Sequence, residues 1–170
     1  KTENRLLVIP ELITIFMCGD VMTGRGIDQV LPHPSDPVIY ESYMRNARGY
    51  VKLAEEVNGP IPYPVSFSYI WGDALQELER GAPDLRMINL ETSITKSNDF
   101  WKYKEIHYRM HPENIPCITA AKIDYCSLAN NHILDWGHSG LGETLETLHK
   151  VNVKSAGAGR NLEEAETPAV

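Results

Sequence analysis

The chain has 170 residues, enough for one domain with a substantial buried core. Its 16 Lys and Arg face 23 Asp and Glu, a formal charge of −7 with no basic cluster, which argues against a primary nucleic-acid role because phosphate tracking needs concentrated cations. At 42% hydrophobic residues the composition is that of a globular protein, and the longest apolar run, Leu6 to Cys18, is broken by Pro10 and Glu11 and too short to span a bilayer. No signal peptide is visible; the chain starts at Lys1 rather than Met, so removal of an upstream signal or anchor would place it in the cell envelope or outside the cytoplasm, and otherwise it is cytoplasmic. The three cysteines, Cys18, Cys117 and Cys126, lack zinc spacing and cannot all pair, and they read as buried free thiols.

In chain order, Leu12 to Cys18 reads as a first strand that delivers Gly19 and Asp20 at its end. Gly24 and Gly26 follow, but the third glycine of a dinucleotide loop would fall at Gln29, so that motif fails. Residues 31–64 carry six prolines (Pro32, Pro34, Pro37, Pro60, Pro62 and Pro64) and read as a long excursion beside the site, with a helix over Tyr40 to Val57. Trp71, Ala74, Leu75 and Leu78 mark an amphipathic helix closed by Gly81 and Pro83. Leu85 to Leu90 is a second core strand delivering Asn89 and Glu91. Tyr103 to Met110 alternates, with Tyr108 and Met110 on one side and Arg109 and His111 on the other; Pro112 opens a further helix.

Ile123 to Ala129, free of Gly and Pro, reads as a buried strand running directly into Asn130, Asn131 and His132. Gly137 and Gly140 punctuate the turn, and Leu141, Leu145 and Leu148 lie on one face of the next helix. Val151 to Ala156 is a fourth short strand, and Asn161 caps a helix over Leu162–Glu166. The alternation is that of an α/β fold, in which the carboxyl ends of the strands are where ligands and chemistry sit. Three strands thus end in polar groups: Asp20, Asn89 with Glu91, and Asn131 with His132. Singly each is a turn or loop residue. Together they are a ligand set for Mn, Zn, Fe or Mg.

Gly19-Asp20-Val-Met-Thr-Gly-Arg-Gly26, Asn89-Leu-Glu91-Thr-Ser-Ile-Thr95, Tyr108-Arg-Met-His-Pro112 and Leu128-Ala-Asn-Asn-His-Ile-Leu-Asp-Trp-Gly137 closely resemble the poly-γ-glutamate capsule biosynthesis (CapA) family over about Ile13 to Val170. The resemblance implies a calcineurin-like metallophosphatase fold, an α-β-β-α sandwich of which this chain is the N-terminal part, organised as a single domain over 1–170 and truncated at its C-terminus. It implies one or two divalent metal ions, with Asp20 and Glu91 as ligands, Asn89 in support and Asn131 lending its amide oxygen. His132 would polarise the substrate or protonate the leaving oxygen, with Asp135 orienting it, although Asp135 reads equally well as a helix cap. Arg109 and His111, on one side of their strand, would recognise an anion, although Arg109 reads equally well as an exposed strand-face residue. The substrate is then a phosphate ester, a γ-glutamyl amide or an anionic polymer, and the partners are other capsule synthesis proteins.

Two departures bear on catalysis. Metallophosphatases carry Asp-x-His after the first strand, and here the third position is Met22; a later His-x-His is missing, so either the remaining ligands lie downstream of Val170, which is the favoured reading, or the site is degenerate. A metal-dependent hydrolase and a non-catalytic binding or scaffold subunit of a capsule assembly or export complex are the two readings. A Gly-Asp-Ser hydrolase is disfavoured because Val21 stands where the nucleophile must be.

Overall fold

The computed structural model describes residues 12–169; the amino-terminal part of the Leu6–Cys18 run lies outside the described residues. Four strands, β1 (Ile15–Val21), β2 (Leu85–Leu90), β5 (Tyr125–Ser127) and β6 (Lys154–Ala156), form an all-parallel sheet in the order β1-β2-β5-β6. A second parallel pair joins β3 (Ser93–Ile94) to β4 (Arg109–Met110). The helices are α1 (Arg25–Val30), α2 (Arg48–Asn58), α3 (Ala74–Gly81), α4 (Pro116–Thr119), α5 (Gly137–Lys150) and α6 (Leu162–Glu166). This is the α/β architecture expected, with helical crossovers between parallel strands. No helix of the described residues is long and apolar enough to cross a membrane.

The two faces of the sheet differ. Arg86, Ile88, Leu90 and Cys126 point into the core, where Ile118, Ala121, Leu141 and Leu148 also lie. The opposite face carries Ile15, Met17, Met87 and Tyr125, all exposed or half-buried. β1 is packed on one face only, with Ile15 50% and Met17 71% exposed because β1 is the sheet's edge, and Cys18, expected as a buried thiol, is therefore only half-buried. The strand also runs further than its composition indicates. A register irregularity between Met17 and Asp20 lets pairing with β2 resume at Asp20↔Asn89 and Val21↔Leu90, so Asp20 lies inside the strand.

Other boundaries move for tertiary reasons. Helix α2 starts at Arg48 rather than Tyr40, because residues 38–46 fold back on themselves: Val38 bridges Asn46, and Ala47 N donates to Pro37 O. The alternating stretch from Tyr103 is strand only at Arg109–Met110; upstream, Trp101 N donates to Asp135 O and Lys104 N to Trp101 O, which makes a loop. The turn through Asn152 (φ 58°) shortens β6 to Lys154–Ala156. Helix α6 covers Leu162–Glu166, and Asn161 Oδ1 accepts from Glu164 N at 2.9 Å as an N-cap.

Contacts between elements are specific. Thr144 of α5 receives Ile94 N at 2.9 Å and donates to Gly140 O at 2.8 Å, which fastens α5 to β3. Gly24 lets α1 lie against β4, since a Cβ there would sit 3.0 Å from Arg109 N. The buried Asp28 carboxylate accepts Ser35 N (2.6 Å), His111 N (2.9 Å) and Asn114 Nδ2 (2.9 Å), joining α1 to the start of the 31–64 excursion and to the segment after β4.

Candidate functional site

The carboxyl ends of β1, β2 and β5 are neighbours by register, and a chain of side-chain hydrogen bonds crosses them. Asn89 Nδ2 donates to Asp20 Oδ1 at 2.6 Å, and Asn130 Nδ2 donates to Asn89 Oδ1 at 3.1 Å and to Leu90 O at 2.9 Å. Asn130 Oδ1 in turn accepts His132 N at 3.0 Å. The backbone after β5 thus turns so that the His132 ring comes back over the strand ends. Its Nε2 lies 3.8 Å from Glu91 Oε1, and this half-buried carboxylate accepts no hydrogen bond among the described residues.

The other ring nitrogen is held. His132 Nδ1 lies 2.7 Å from Asp135 Oδ2, which also accepts Tyr108 N at 2.7 Å, while Lys104 Nζ reaches Asp135 Oδ1 at 2.5 Å. Nδ1 has two neighbours, the fully buried Asp135 carboxylate at 2.7 Å and Lys104 Nζ at 3.2 Å; the shorter contact is to an acceptor, which favours the proton on Nδ1 and leaves Nε2 to face Glu91. Asp135 does not cap α5, whose N-cap is Trp136 with no side-chain bond. Lys104 gives the buried carboxylate its counter-charge and also donates to Asn131 O. No motif marks Lys104 in the sequence; it stands in a loop of Trp, Tyr and Lys.

A stack of planar groups continues outward from His132. The Tyr108 ring lies 3.9 Å from the imidazole at 21°, and the Arg25 guanidinium lies 4.9 Å from the Tyr108 centroid and 4.9 Å from that of Tyr50. Burial pushes the Tyr108 phenol up; Arg25 opposes this, and Glu91, Glu41 and Asp135 add to it. Glu41 anchors the far end, accepting Arg25 Nε at 2.6 Å and the Tyr50 hydroxyl. Burial alone would lower the Arg25 pKa, but the Glu41 hydrogen bond and charge carry it above its usual value. Glu41 and Tyr50 both come from the 31–64 excursion, which is therefore built into the site's surroundings. The sequence signal for Arg25 is its place in Gly24-Arg25-Gly26; Glu41 has none.

Other candidates are used elsewhere. Arg109 is buried, with its guanidinium 3.9 Å over the Trp136 ring and bonds to Ser97 O, Asn98 Oδ1 and Asp36 O. It neither faces the strand edge nor lies exposed on a strand face, and burial lowers its pKa. His111 Nδ1 accepts Glu113 N at 3.2 Å and so caps the short helical turn at Pro112–Asn114. Asn131 has an exposed side chain and contributes its carbonyl to Lys104. Asn89 uses its amide oxygen on Asn130 rather than supporting Glu91. A cavity of about 810 Å³ lies within the excursion, between its first residues and α2, lined in part by Pro32, Tyr43, Arg48 and Lys52, and not at the strand ends.

The side chains at the strand ends able to hold a divalent ion are the carboxylates of Asp20 and Glu91. They fit a cation in kind, one carboxylate exposed and one without a hydrogen-bond donor. They do not fit in number, since among the described residues no three His, Cys, Asp or Glu side chains gather closely enough to hold a metal.

The sequence matches the family model for bacterial capsule synthesis protein PGA_cap over residues 14–170. It is 50% identical over 161 residues to a probable polyglutamine synthesis accessory protein of Mycobacterium tuberculosis, covering 95% of this chain and 42% of that protein. It is 24% identical over 168 residues to the PGA biosynthesis protein CapA of Bacillus subtilis, covering 97% of this chain and 42% of the relative. With the capsule biosynthesis protein CapA of Bacillus anthracis it shares 22% over 154 residues, 91% of this chain and 30% of the relative. The chain thus spans less than half the length of the curated relatives it matches. The match runs through all four strands of the main sheet and the polar residues at three of their ends, and the chain belongs to the bacterial capsule synthesis (PGA_cap) family.

Proposed function

We propose that this chain carries the acid side of a hydrolytic site in a protein of capsule or poly-γ-glutamate synthesis. The reaction class is metal-dependent hydrolysis of a phosphate ester or a γ-glutamyl amide. The observation that carries the reading is the buried Asp135–His132 pair with Nε2 turned toward Glu91 at the strand ends. Asp135 holds Nδ1, and a proton carried on Nε2 passes to the leaving oxygen or nitrogen. Lys104 gives Asp135 its counter-charge and Tyr108 fixes the plane of the ring. One or two divalent ions (Mn, Zn, Fe or Mg) at Asp20 and Glu91, with further ligands from the longer protein, would supply Lewis-acid stabilisation of developing negative charge. The Asp20–Asn89–Asn130 chain sets the position of the Asp20 carboxylate. Partners in this reading are other capsule synthesis proteins, in keeping with the accessory role in the mycobacterial relative's name.

A second reading, a binding or scaffold subunit of a capsule assembly or export complex, is favoured by one observation: the amides at the strand ends satisfy one another. The full-length protein decides between them. It is offered phosphate esters and γ-glutamyl amides with Mn and Zn separately. Under the hydrolytic reading His132→Ala keeps the metal and loses turnover by roughly two or more orders of magnitude. Metal binding without turnover of either substrate class, together with capsule assembly supported by His132→Ala in cells, establishes the scaffold instead.

A further inference from the structure

Arg25 takes a left-handed backbone conformation, φ 51°, that side chains other than Gly, Asn and Asp rarely adopt. Such a residue persists only where its surroundings over-determine it, and these do. Gly24 and Gly26 flank it at points of close approach, where a Cβ would sit 3.0 Å from Arg109 N and 3.0 Å from Tyr50 Cβ. What the distortion achieves is the placement of a guanidinium between the faces of Tyr50 and Tyr108, a position at which ring quadrupoles favour a cation. The fully buried Glu41 fixes it through Nε at 2.6 Å.

That bond uses one of the five N–H donors. The two terminal nitrogens have no hydrogen-bond partner among the described residues, and the side chain is 17% exposed. The other cations near His132 are spent: Lys104 on Asp135 and Asn131 O, Arg109 on Ser97 O, Asn98 and Asp36 O. Tyr108 alone stands between the Arg25 guanidinium and the His132 ring. A preorganised planar fork with open donors, one ring away from an acid, is the geometry for gripping an oxyanion while the neighbouring bond is broken.

We propose that Arg25 is the oxyanion-binding residue of this site, taking two oxygens of a carboxylate or phosphate on its terminal nitrogens at the outer end of the Tyr108–His132 stack. The binding role stands on the Arg25 geometry. Only the statement that the bound anion belongs to a hydrolysed substrate rests on the proposed function. A γ-glutamyl unit offers the group as its α-carboxylate and a phosphate ester as its phosphoryl oxygens, and Arg25 would serve either.

The test uses the full-length protein and two probes, inorganic phosphate and the dipeptide γ-glutamyl-glutamate, titrated calorimetrically. The variants are Arg25→Lys and the double Arg25→Gln/Glu41→Gln; the double removes both charges so that no buried carboxylate is left unpaired. The double is expected to weaken at least one probe by about tenfold or more, and Arg25→Lys to weaken it by several-fold, since a point charge cannot make the two-pronged contact. Weakening of phosphate alone identifies a phosphoryl source, and weakening of the dipeptide alone a carboxylate source. Where a substrate is turned over, KM rises with kcat within about threefold, the signature of lost binding rather than lost chemistry. Wild-type binding of a probe that the double variant loses, with no turnover of any ester or amide, leaves Arg25 standing and removes the hydrolytic reading. Equal affinity of wild type and double variant for both probes, or no binding of either by the wild type at millimolar concentration, overturns the proposal. Retention of the wild-type circular dichroism spectrum by the double variant separates lost binding from lost fold.

Discussion

The ring of Tyr108 stacks on that of His132 at 3.9 Å, and the backbone N of the same tyrosine donates to the carboxylate oxygen that holds His132 Nδ1. Asp135 therefore fixes both members of the stack at once, and the imidazole has its plane set by a tyrosine 24 residues earlier and its tautomer by an aspartate three residues later. Such control is what distinguishes a positioned histidine from a loop histidine.

The tautomer is directly measurable. Long-range proton–nitrogen NMR on the neutral ring should show His132 protonated at Nδ1 with Nε2 unprotonated, the arrangement that the 2.7 Å contact to the Asp135 carboxylate favours. In Asp135→Ala that preference should vanish and the Nε2–H form should appear. An Nε2–H tautomer in the wild type would show that Asp135 does not orient the ring.

Lys104 is expected to matter for stability although it lies in a loop. Lys104→Met leaves the fully buried Asp135 without its cation, and loss of a partner from a buried pair is usually costly. Lys104 is itself 25% exposed, so solvent screening reduces the effect to about 1–2 kcal/mol. Urea denaturation reads this as a lowered midpoint at constant slope. An unchanged midpoint would mean that the ion pair contributes nothing to folding.

Asp28 should be the costlier residue. Asp28→Asn keeps the shape but turns one acceptor into a donor facing the amides of Ser35, His111 and Asn114. Loss of bonds to a buried charge predicts about 3 kcal/mol of destabilisation, visible as a lower melting temperature, with the strand-end residues unaltered. Arg25→Lys should change the melting temperature far less, which separates structural from binding roles.

The alkaline limit follows from two thiols. Burial pushes Cys117 and Cys126 up to about 12, against about 8.5 for an unfolded cysteine. Above about pH 8.5 the unfolded chain releases these protons and the folded one retains them, so stability falls as pH rises toward 12. Each thiol contributes a slope of about 1.4 kcal/mol per pH unit in that window. Denaturation of Cys117→Ser/Cys126→Ala at pH 7 and pH 10 should show a smaller pH difference than the wild type. In thiol labelling of the native protein, half-buried Cys18 should react before either.

What the sequence by itself determined is what depends on neighbours within a few positions. The strand at Leu85–Leu90, the Asn161 cap with its helix over Leu162–Glu166, and the delivery of Asn89, Glu91 and His132 at strand ends follow from local patterning, turn residues and capping chemistry. The family motifs are contiguous and legible for the same reason. Only the tertiary structure decided which polar groups meet. Lys104 finds Asp135 across 31 residues, Asp28 finds Asn114 across 86, and Arg25 finds Glu41, which lies in a stretch that reads as the start of a helix in isolation. Arg109 and Asp135 each had two local readings, and packing chose: Trp136 and three acceptors took the arginine, while His132 and Lys104 took the carboxylate. β1 shows the same limit, since its apolar residues mark a strand but not its place at the sheet edge. Hydrogen-bond partners and burial are properties of the assembled neighbours, and periodicity along the chain carries no record of who those neighbours are.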